Sequence, residues 1–208
     1  MKSMFEPIRE KINLARQKIN EKGLQSLVDV ALFAIITLGL HLLWWNWLWK
    51  WTPTSFLKDW ADVLAHWVYL SSSWSLENIF GFIHNGYNDT LYFNGTYIQI
   101  VPSCSGLKQF YQLFFLLLIF PGPWKHKIWY IPMGMVLIFF VNVFRIVSLT
   151  YILVWWPEHW DFAHMWVLRP FYYVVIFVLW MVWVERFWRT ERTERTERTE
   201  RTERTKRL

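Results

Sequence analysis

The sequence holds a single cysteine, Cys104, among its 208 residues. One cysteine cannot form a disulfide within the chain, a CxxC redox pair or a zinc site, and its presence does not reveal the redox compartment. The GxxxxGK(S/T), HExxH and GxGxxG patterns of nucleotide and zinc-protease sites are also missing. We therefore expect no cofactor and no metal.

Charged residues are scarce, at 18% of the chain, whereas 54% is apolar and 21% is aromatic, with 17 tryptophans. This composition is too apolar for an ordinary soluble domain, and the apolar residues form blocks long enough to cross a bilayer. The net charge of +6 is concentrated near the chain ends, so it does not indicate a nucleic-acid partner. The sequence predicts an integral membrane protein.

Three segments differ in composition. Residues 1–23 are basic and carry apolar residues at helical spacing, which predicts a cytoplasmic amphipathic arm. Residues 24–188 form the membrane domain. Residues 189–208 repeat Arg-Thr-Glu with a period of three, which matches neither a helical stripe nor a heptad. We expect this part to be a solvated cytoplasmic tail, partly helical or disordered.

The fold class predicted is an all-α polytopic membrane protein with about four transmembrane helices. The positive-inside rule places the N-terminus, a basic turn at 125–127 and the tail in the cytoplasm. These three segments lie on the same side only if residues 56–83 do not make a single crossing. We therefore expect residues 56–83 to form an outer interfacial helix, with a true span as the alternative. The predicted spans run over residues 27–49, 107–120, 128–154 and 165–187.

An aromatic and β-branched stretch precedes the cysteine. Its Asn94-Gly95 pair, between residues 91–93 and 96–100, is a strong signal for a two-residue turn. We predict a short extracytoplasmic β-hairpin that leads the chain to Cys104.

Cys104 lies where this loop becomes a membrane helix. Ser103 and Ser105 are N-cap residue types, and the positive end of the helix dipole favours a reactive thiolate. Lys108, one turn along the same face, would act in the same direction. The alternative is that Cys104 is a small buried apolar residue.

The third span carries Asn142, Arg145 and Ser148 on one face of an otherwise apolar helix. Ionisable side chains are costly within a bilayer and usually mark a working site. At about 1.5 Å per residue from residue 128, Arg145 lies roughly 25 Å up, near the outer end. Its fixed charge and planar donors suit an oxyanion or carboxylate. The alternative is an arginine that reaches the outer headgroups.

His164 stands at the outer start of the last span. Histidine can act as base and then as acid near neutral pH, and Asp161 or Glu158 could orient its ring. Cys104, Arg145 and His164 all fall at one predicted depth. A thiol nucleophile, a base and a fixed cation are the parts that acyl transfer through a thioester needs.

At these residues the chain resembles the exosortase/archaeosortase family of polytopic membrane proteins. The resemblance rests on Cys104-Ser105-Gly106-Leu107, on Asn142-Val143-Phe144-Arg145-Ile146 and on His164 before the last span. It implies a cysteine transpeptidase at the outer face of the bacterial cytoplasmic membrane. Cys104 would be the nucleophile, His164 the acid/base, Arg145 the stabiliser and Asn142 a supporting group.

The same resemblance implies the partners. The enzyme would cleave the C-terminal sorting signal of an exported protein within the membrane lipid, and it would pass the acyl group to an amine or to a lipid or glycan acceptor. One alternative is a non-enzymatic accessory for surface protein or polysaccharide export, in which Arg145 and His164 bind an anionic lipid or glycan. Another is a rhomboid-type serine protease with Ser105 as nucleophile. A thiol oxidoreductase is disfavoured because it needs a second cysteine.

Overall fold

The computed structural model describes residues 25–48, 56–82, 85–93 and 95–206, and these are mostly helical. The arm predicted for residues 1–23 lies outside the described residues. The α-helices within the described ranges are α1 (Gln25–Leu43), α2 (Phe56–Asn78), α3 (Leu107–Ile119), α4 (Trp124–Trp155), α5 (Trp160–Phe162), α6 (Arg169–Trp183) and α7 (Arg189–Lys206). Three π-helical turns extend or join them, at Trp44–Leu48, Ala163–Leu168 and Val184–Trp188.

Long apolar helices dominate the fold, which confirms the prediction of an all-α polytopic membrane protein. Helix α3 is also apolar, but its 13 residues span only about 20 Å, less than the roughly 30 Å hydrocarbon core. It ends early because Pro121 follows Phe120, which adopts an extended conformation. The helical stretches of the described residues that are long and apolar enough to cross a membrane are Ser26–Leu48, Trp124–Trp155 and Pro157–Glu191.

Helix α2 forms where the sequence predicts an interfacial helix. Its packed face carries mainly small side chains. Large side chains such as Trp60 and Trp67 point outward, and small residues let α2 approach the bundle closely. The side chains buried on the packed face recur every three or four residues and are Ala61, Ala65, Val68, Ser72 and Leu76.

The predicted hairpin is present as strands β2 (Thr90–Phe93) and β3 (Thr96–Gln99), paired in antiparallel register from Thr90↔Gln99 to Phe93↔Thr96. A third strand, β1 (Asn85–Tyr87), which the sequence did not predict, pairs with β2. The loop between β1 and β2 is Asn88-Asp89, and both residues have positive φ. Two such residues form a type I′ turn, whose twist suits a hairpin.

The repeat tail is helical through Lys206 as α7, which continues directly from the last apolar stretch. Several threonine hydroxyls donate a hydrogen bond to the carbonyl four residues earlier, for example Thr193 to Arg189 at 3.1 Å. These bonds occupy the threonine side chains within the helix itself.

Candidate active site

Cys104 ends a short 3₁₀ turn, Pro102–Cys104, just before α3. Its backbone N–H donates to the carbonyl of Val101 at 2.7 Å, and its side chain is half-buried. Gly106 precedes α3 with a φ of 81°, a left-handed conformation that glycine adopts without strain. The hydroxyl of Ser105 accepts from the N–H of Leu107 at 3.2 Å, so Ser105 satisfies a free donor of the helix start.

Asn142, on α4, bonds to the turn that carries Cys104. Its side-chain Nδ2 donates to the carbonyl oxygen of Cys104 at 2.8 Å, and its Oδ1 accepts from the hydroxyl of Tyr172. Asn142 is fully buried, and a Cβ added at Gly106 would lie 3.1 Å from its Nδ2. The close contact at Gly106 and the two hydrogen bonds together fix the position of the cysteine turn relative to α4 and α6.

Arg145 and His164 form a pair between α4 and the π-turn Ala163–Leu168. The Nη2 of Arg145 lies 3.1 Å from Nε2 of His164. Because a guanidinium has only donors, Nε2 accepts and the neutral imidazole carries its proton on Nδ1. Arg145 is only 7% exposed, its Nε has no hydrogen-bond partner among the described residues, and its guanidinium lies 5.9 Å from the ring centre of Tyr172.

Most of the predicted site residues line one cavity. Its volume of about 500 Å³ is typical of ligand pockets. Asn142 lies behind it, bonded to the Cys104 carbonyl. Asp161 is exposed and, within the described part of the chain, makes no hydrogen bond to His164, although its charge acts on that ring. The predicted residues that line the cavity are Cys104, Ser105, Lys108, Arg145 and His164.

Lys108 takes a different partner from the one that its position suggested. Its Nζ lies 3.1 Å from Nδ1 of His41 and 5.2 Å from the ring centre of Trp45. The hydroxyl of Tyr173 lies 3.3 Å from the same His41 nitrogen. Sequence reasoning missed His41, although a histidine within an apolar span is itself a signal of function.

Tyr172, Tyr173 and Arg169 were also missed, although all three line the cavity. They follow the predicted start of the last span, where tyrosine and arginine are common as interfacial anchors. Their sequence positions therefore gave no indication that they face the same space as Cys104. Only the packing of α6 against α3 and α4 brings them there.

The fold and the cavity define a class of protein, a multi-helix membrane protein whose single cysteine shares a pocket with an arginine–histidine pair. The family model described as Transmembrane exosortase (Exosortase_EpsH) matches residues 22–186, well over half of the chain, and the chain belongs to this family. The match covers α1 to α6 and every residue of the cavity. Comparison with curated proteins and with solved structures gives no significant match.

Proposed function

We propose that this exosortase-type membrane protein is a cysteine protease/transpeptidase that cleaves the C-terminal sorting signals of exported proteins. The observation that carries the proposal is the cavity that Cys104, Arg145 and His164 share, each from a different element. The half-buried thiol is open to this cavity, and the paired arginine and histidine line it. These are a nucleophile, a fixed cation and a proton acceptor in one cavity.

In the first half-reaction, the thiol of Cys104 attacks the carbonyl carbon of the scissile peptide bond. The oxyanion that develops gives Arg145 a negative partner in place of Nε2 of His164. That nitrogen is then free to take the thiol proton, because its lone pair is no longer shared with the guanidinium. The C–N bond breaks, His164 returns the proton to the leaving amine, and the substrate remains bound as a thioester.

In the second half-reaction, an acceptor attacks the thioester carbonyl. His164 removes the proton from the acceptor amine, hydroxyl or water, and the C–S bond breaks. The proton then returns to the sulfur, which restores the thiol and the neutral imidazole. Water as acceptor gives hydrolysis, whereas an amine or a lipid- or glycan-borne group gives transpeptidation.

We further propose that the cavity faces the outer side of the bacterial cytoplasmic membrane. The charge pattern supports this orientation, because the basic turn between α3 and α4 and the basic tail lie at the opposite ends of these helices from Cys104. Because Cys104 is the only thiol, a membrane-impermeant maleimide added to spheroplasts tests this orientation directly. Labelling from outside is expected, and labelling only after lysis would contradict the orientation.

The activity is tested in a host strain that lacks the gene, complemented with the wild-type chain, Cys104→Ala or the control Ser103→Ala. Mass spectrometry of the C-terminal peptides of exported proteins should show new C-termini with the wild type and with Ser103→Ala. Cys104→Ala should show none, although immunoblots find it in the membrane at the same level. Processing by Cys104→Ala at the wild-type rate would refute the proposal.

The accessory-protein alternative makes a different prediction in the same strains. A non-enzymatic partner that binds an anion needs Arg145 but tolerates Cys104→Ser, which keeps the shape of the side chain. Export that survives Cys104→Ser and fails with Arg145→Gln would therefore support the accessory role. Loss in both variants, together with a hydroxylamine-sensitive adduct on the wild-type protein, supports the thioester.

A further inference from the structure

The cavity contains a second polar cluster, which the proposed acyl transfer does not use. It consists of His41 from α1, Lys108 from α3 and Arg169 and Tyr173 from α6. Nδ1 of His41 lies within hydrogen-bond distance of both the Lys108 ammonium and the Tyr173 hydroxyl. Since the ammonium has only donors, His41 accepts and carries its own proton on Nε2.

This arrangement orients Lys108 without neutralising it. A carboxylate would cancel the charge of the ammonium, whereas a neutral imidazole and the face of Trp45 hold it in place and leave the charge intact. Arg169 adds a second positive charge, which repels that of Lys108. A bound anion would offset the repulsion between these two cations.

The cavity as a whole has an excess of positive charge. Lys108, Arg145 and Arg169 line it, and no carboxylate is among the described residues that do so. Asp161 acts on His164 from an exposed position outside the cavity. Because no negative charge in the lining balances these three cations, the cavity favours an anionic occupant.

The depth of the cluster indicates what the anion is attached to. His41 lies about 10 Å before the end of the apolar helix Ser26–Leu48, at roughly 1.5 Å per residue. The headgroup region begins close to the end of such a helix. Lys108 belongs to the first turn of α3, and Arg169 lies about 18 Å after the start of the apolar stretch Pro157–Glu191, at roughly 1.5 Å per residue. The cluster therefore lies within the apolar length of two long helices, where an anion carried by a membrane lipid has access.

We propose that Lys108, Arg169 and Tyr173 form a binding site for the phosphate group of a membrane lipid. Two cations and a hydroxyl match the charge and the several oxygens of a phosphate better than those of a single carboxylate. The lipid site itself does not depend on the proposed function, but its role in the reaction does. A lipid held here lies beside the Cys104 thioester, where its headgroup can serve as the acceptor.

The test measures binding and does not depend on cleavage. The purified full chain in maltoside detergent is titrated with phosphatidic acid or with diacylglycerol of the same acyl chains, and native mass spectrometry counts the bound lipid. Phosphatidic acid should bind and diacylglycerol should not. Lys108→Gln and Arg169→Gln should each weaken binding about tenfold or more, because each removes a charged hydrogen-bond partner. Equal binding of the two lipids would overturn the proposal.

The matched control is Lys125→Gln, which removes an exposed lysine at the other end of the bundle. It should bind phosphatidic acid as the wild type does. If Lys125→Gln weakens binding as much as Lys108→Gln, the attraction is only a general charge effect, and the proposed site is refuted.

Two competitors identify the source of the anion. Displacement of phosphatidic acid by inorganic phosphate supports a phosphate site. The second competitor is a peptide that contains a glutamate. If it displaces phosphatidic acid more strongly than inorganic phosphate does, and loses this effect when the glutamate is replaced by glutamine, the cations bind a substrate carboxylate. That result would overturn the lipid assignment.

The Cys104→Ala variant separates this inference from the proposed function. It should keep full phosphatidic acid binding, because Cys104 is not among the proposed phosphate ligands. If it also still processes exported proteins, the transpeptidase proposal fails while the lipid site stands. If wild-type processing depends on Cys104 but phosphatidic acid does not bind, the lipid site fails alone.

Discussion

The hydrogen bonds of Asn142 allow a double-mutant test of how the cysteine turn is held. Tyr172→Phe removes only the hydroxyl that donates to Oδ1 of Asn142, and Asn142→Leu also removes the bond to the carbonyl of Cys104. Hydrogen bonds between membrane helices contribute on average about 0.6 kcal/mol and at most about 1.7 kcal/mol. We therefore expect Tyr172→Phe to cost that amount of unfolding free energy, and Asn142→Leu about twice as much.

The double variant should be no less stable than Asn142→Leu alone, because the Tyr172 hydroxyl bond is already lost in that single variant. The coupling energy should thus be about 0.6 to 1.7 kcal/mol. For a chain of this size, 1 kcal/mol corresponds to a shift in Tm of about 2–4 °C, so Tyr172→Phe should lower Tm by roughly 1–7 °C.

The processing rate should separate the two single variants more widely than the free energy of unfolding does. Tyr172→Phe leaves the Asn142 donor on the Cys104 carbonyl, so the processing rate should fall less than about tenfold. Asn142→Leu frees the turn, and a displacement of 1 Å costs about 100-fold in rate. The assay combines thermal unfolding in detergent with processing rates in cells, and Tyr151→Phe, an exposed tyrosine on α4, is the control.

Two results would refute this reasoning. Strictly additive losses of stability would mean that Tyr172 and Asn142 do not bond. If Asn142→Leu lowers the free energy of unfolding as predicted but leaves the processing rate unchanged, Asn142 has only a structural role and no part in positioning Cys104.

Three further predictions concern other parts of the site and its support. Gly106→Ala should lower both Tm and processing, because alanine is strained at a φ of 81° and its Cβ would lie 3.1 Å from Nδ2 of Asn142. Wild-type behaviour of Gly106→Ala would show that the turn is looser than described. Lys127→Met should lower Tm by several degrees, because Nζ of Lys127 donates to two carbonyls at the end of α3, at 2.9 Å and 2.7 Å. The control Lys125→Met alters an exposed side chain and should leave Tm unchanged. Equal Tm values for the two lysine variants would contradict this role. Labelling of Cys104 by a small maleimide should be slowed by a bulky anionic lipid if the phosphate site is occupied, and an unchanged rate would argue against occupancy beside the thiol.

Much of the fold follows from local pattern. Apolar length alone predicts the long helical stretches Ser26–Leu48, Trp124–Trp155 and Pro157–Glu191, because a bilayer core needs about 20 apolar residues and leaves few alternatives. The Asn94-Gly95 pair predicts the hairpin of β2 and β3, because the backbone conformation of a two-residue turn is set by the turn residues themselves. The strand β1 was missed because its three residues are exposed and show no alternation of apolar and polar side chains.

The packed face of α2 depended on more than local pattern. The bounds predicted for α3, 107–120, match the helix because Pro121 ends it, but its 13 residues are fewer than the bilayer core requires. On α2, Trp60 and Trp67 point outward, whereas close packing places Ala61 and Ala65 on the inner face. In a membrane the apolar face need not be the buried one, because lipid is as apolar as the protein interior.

The sequence by itself determined that this chain is a membrane protein with one thiol at a helix start and two polar residues at a similar depth. It could do so because the cost of burying charge in lipid makes each such residue conspicuous. Only the tertiary structure decided that Arg145 pairs with His164, that Asn142 bonds the Cys104 carbonyl and that Lys108 turns toward His41. These contacts join residues from 19 to 67 positions apart. Their partners are chosen by the packing of whole helices, which no local pattern encodes.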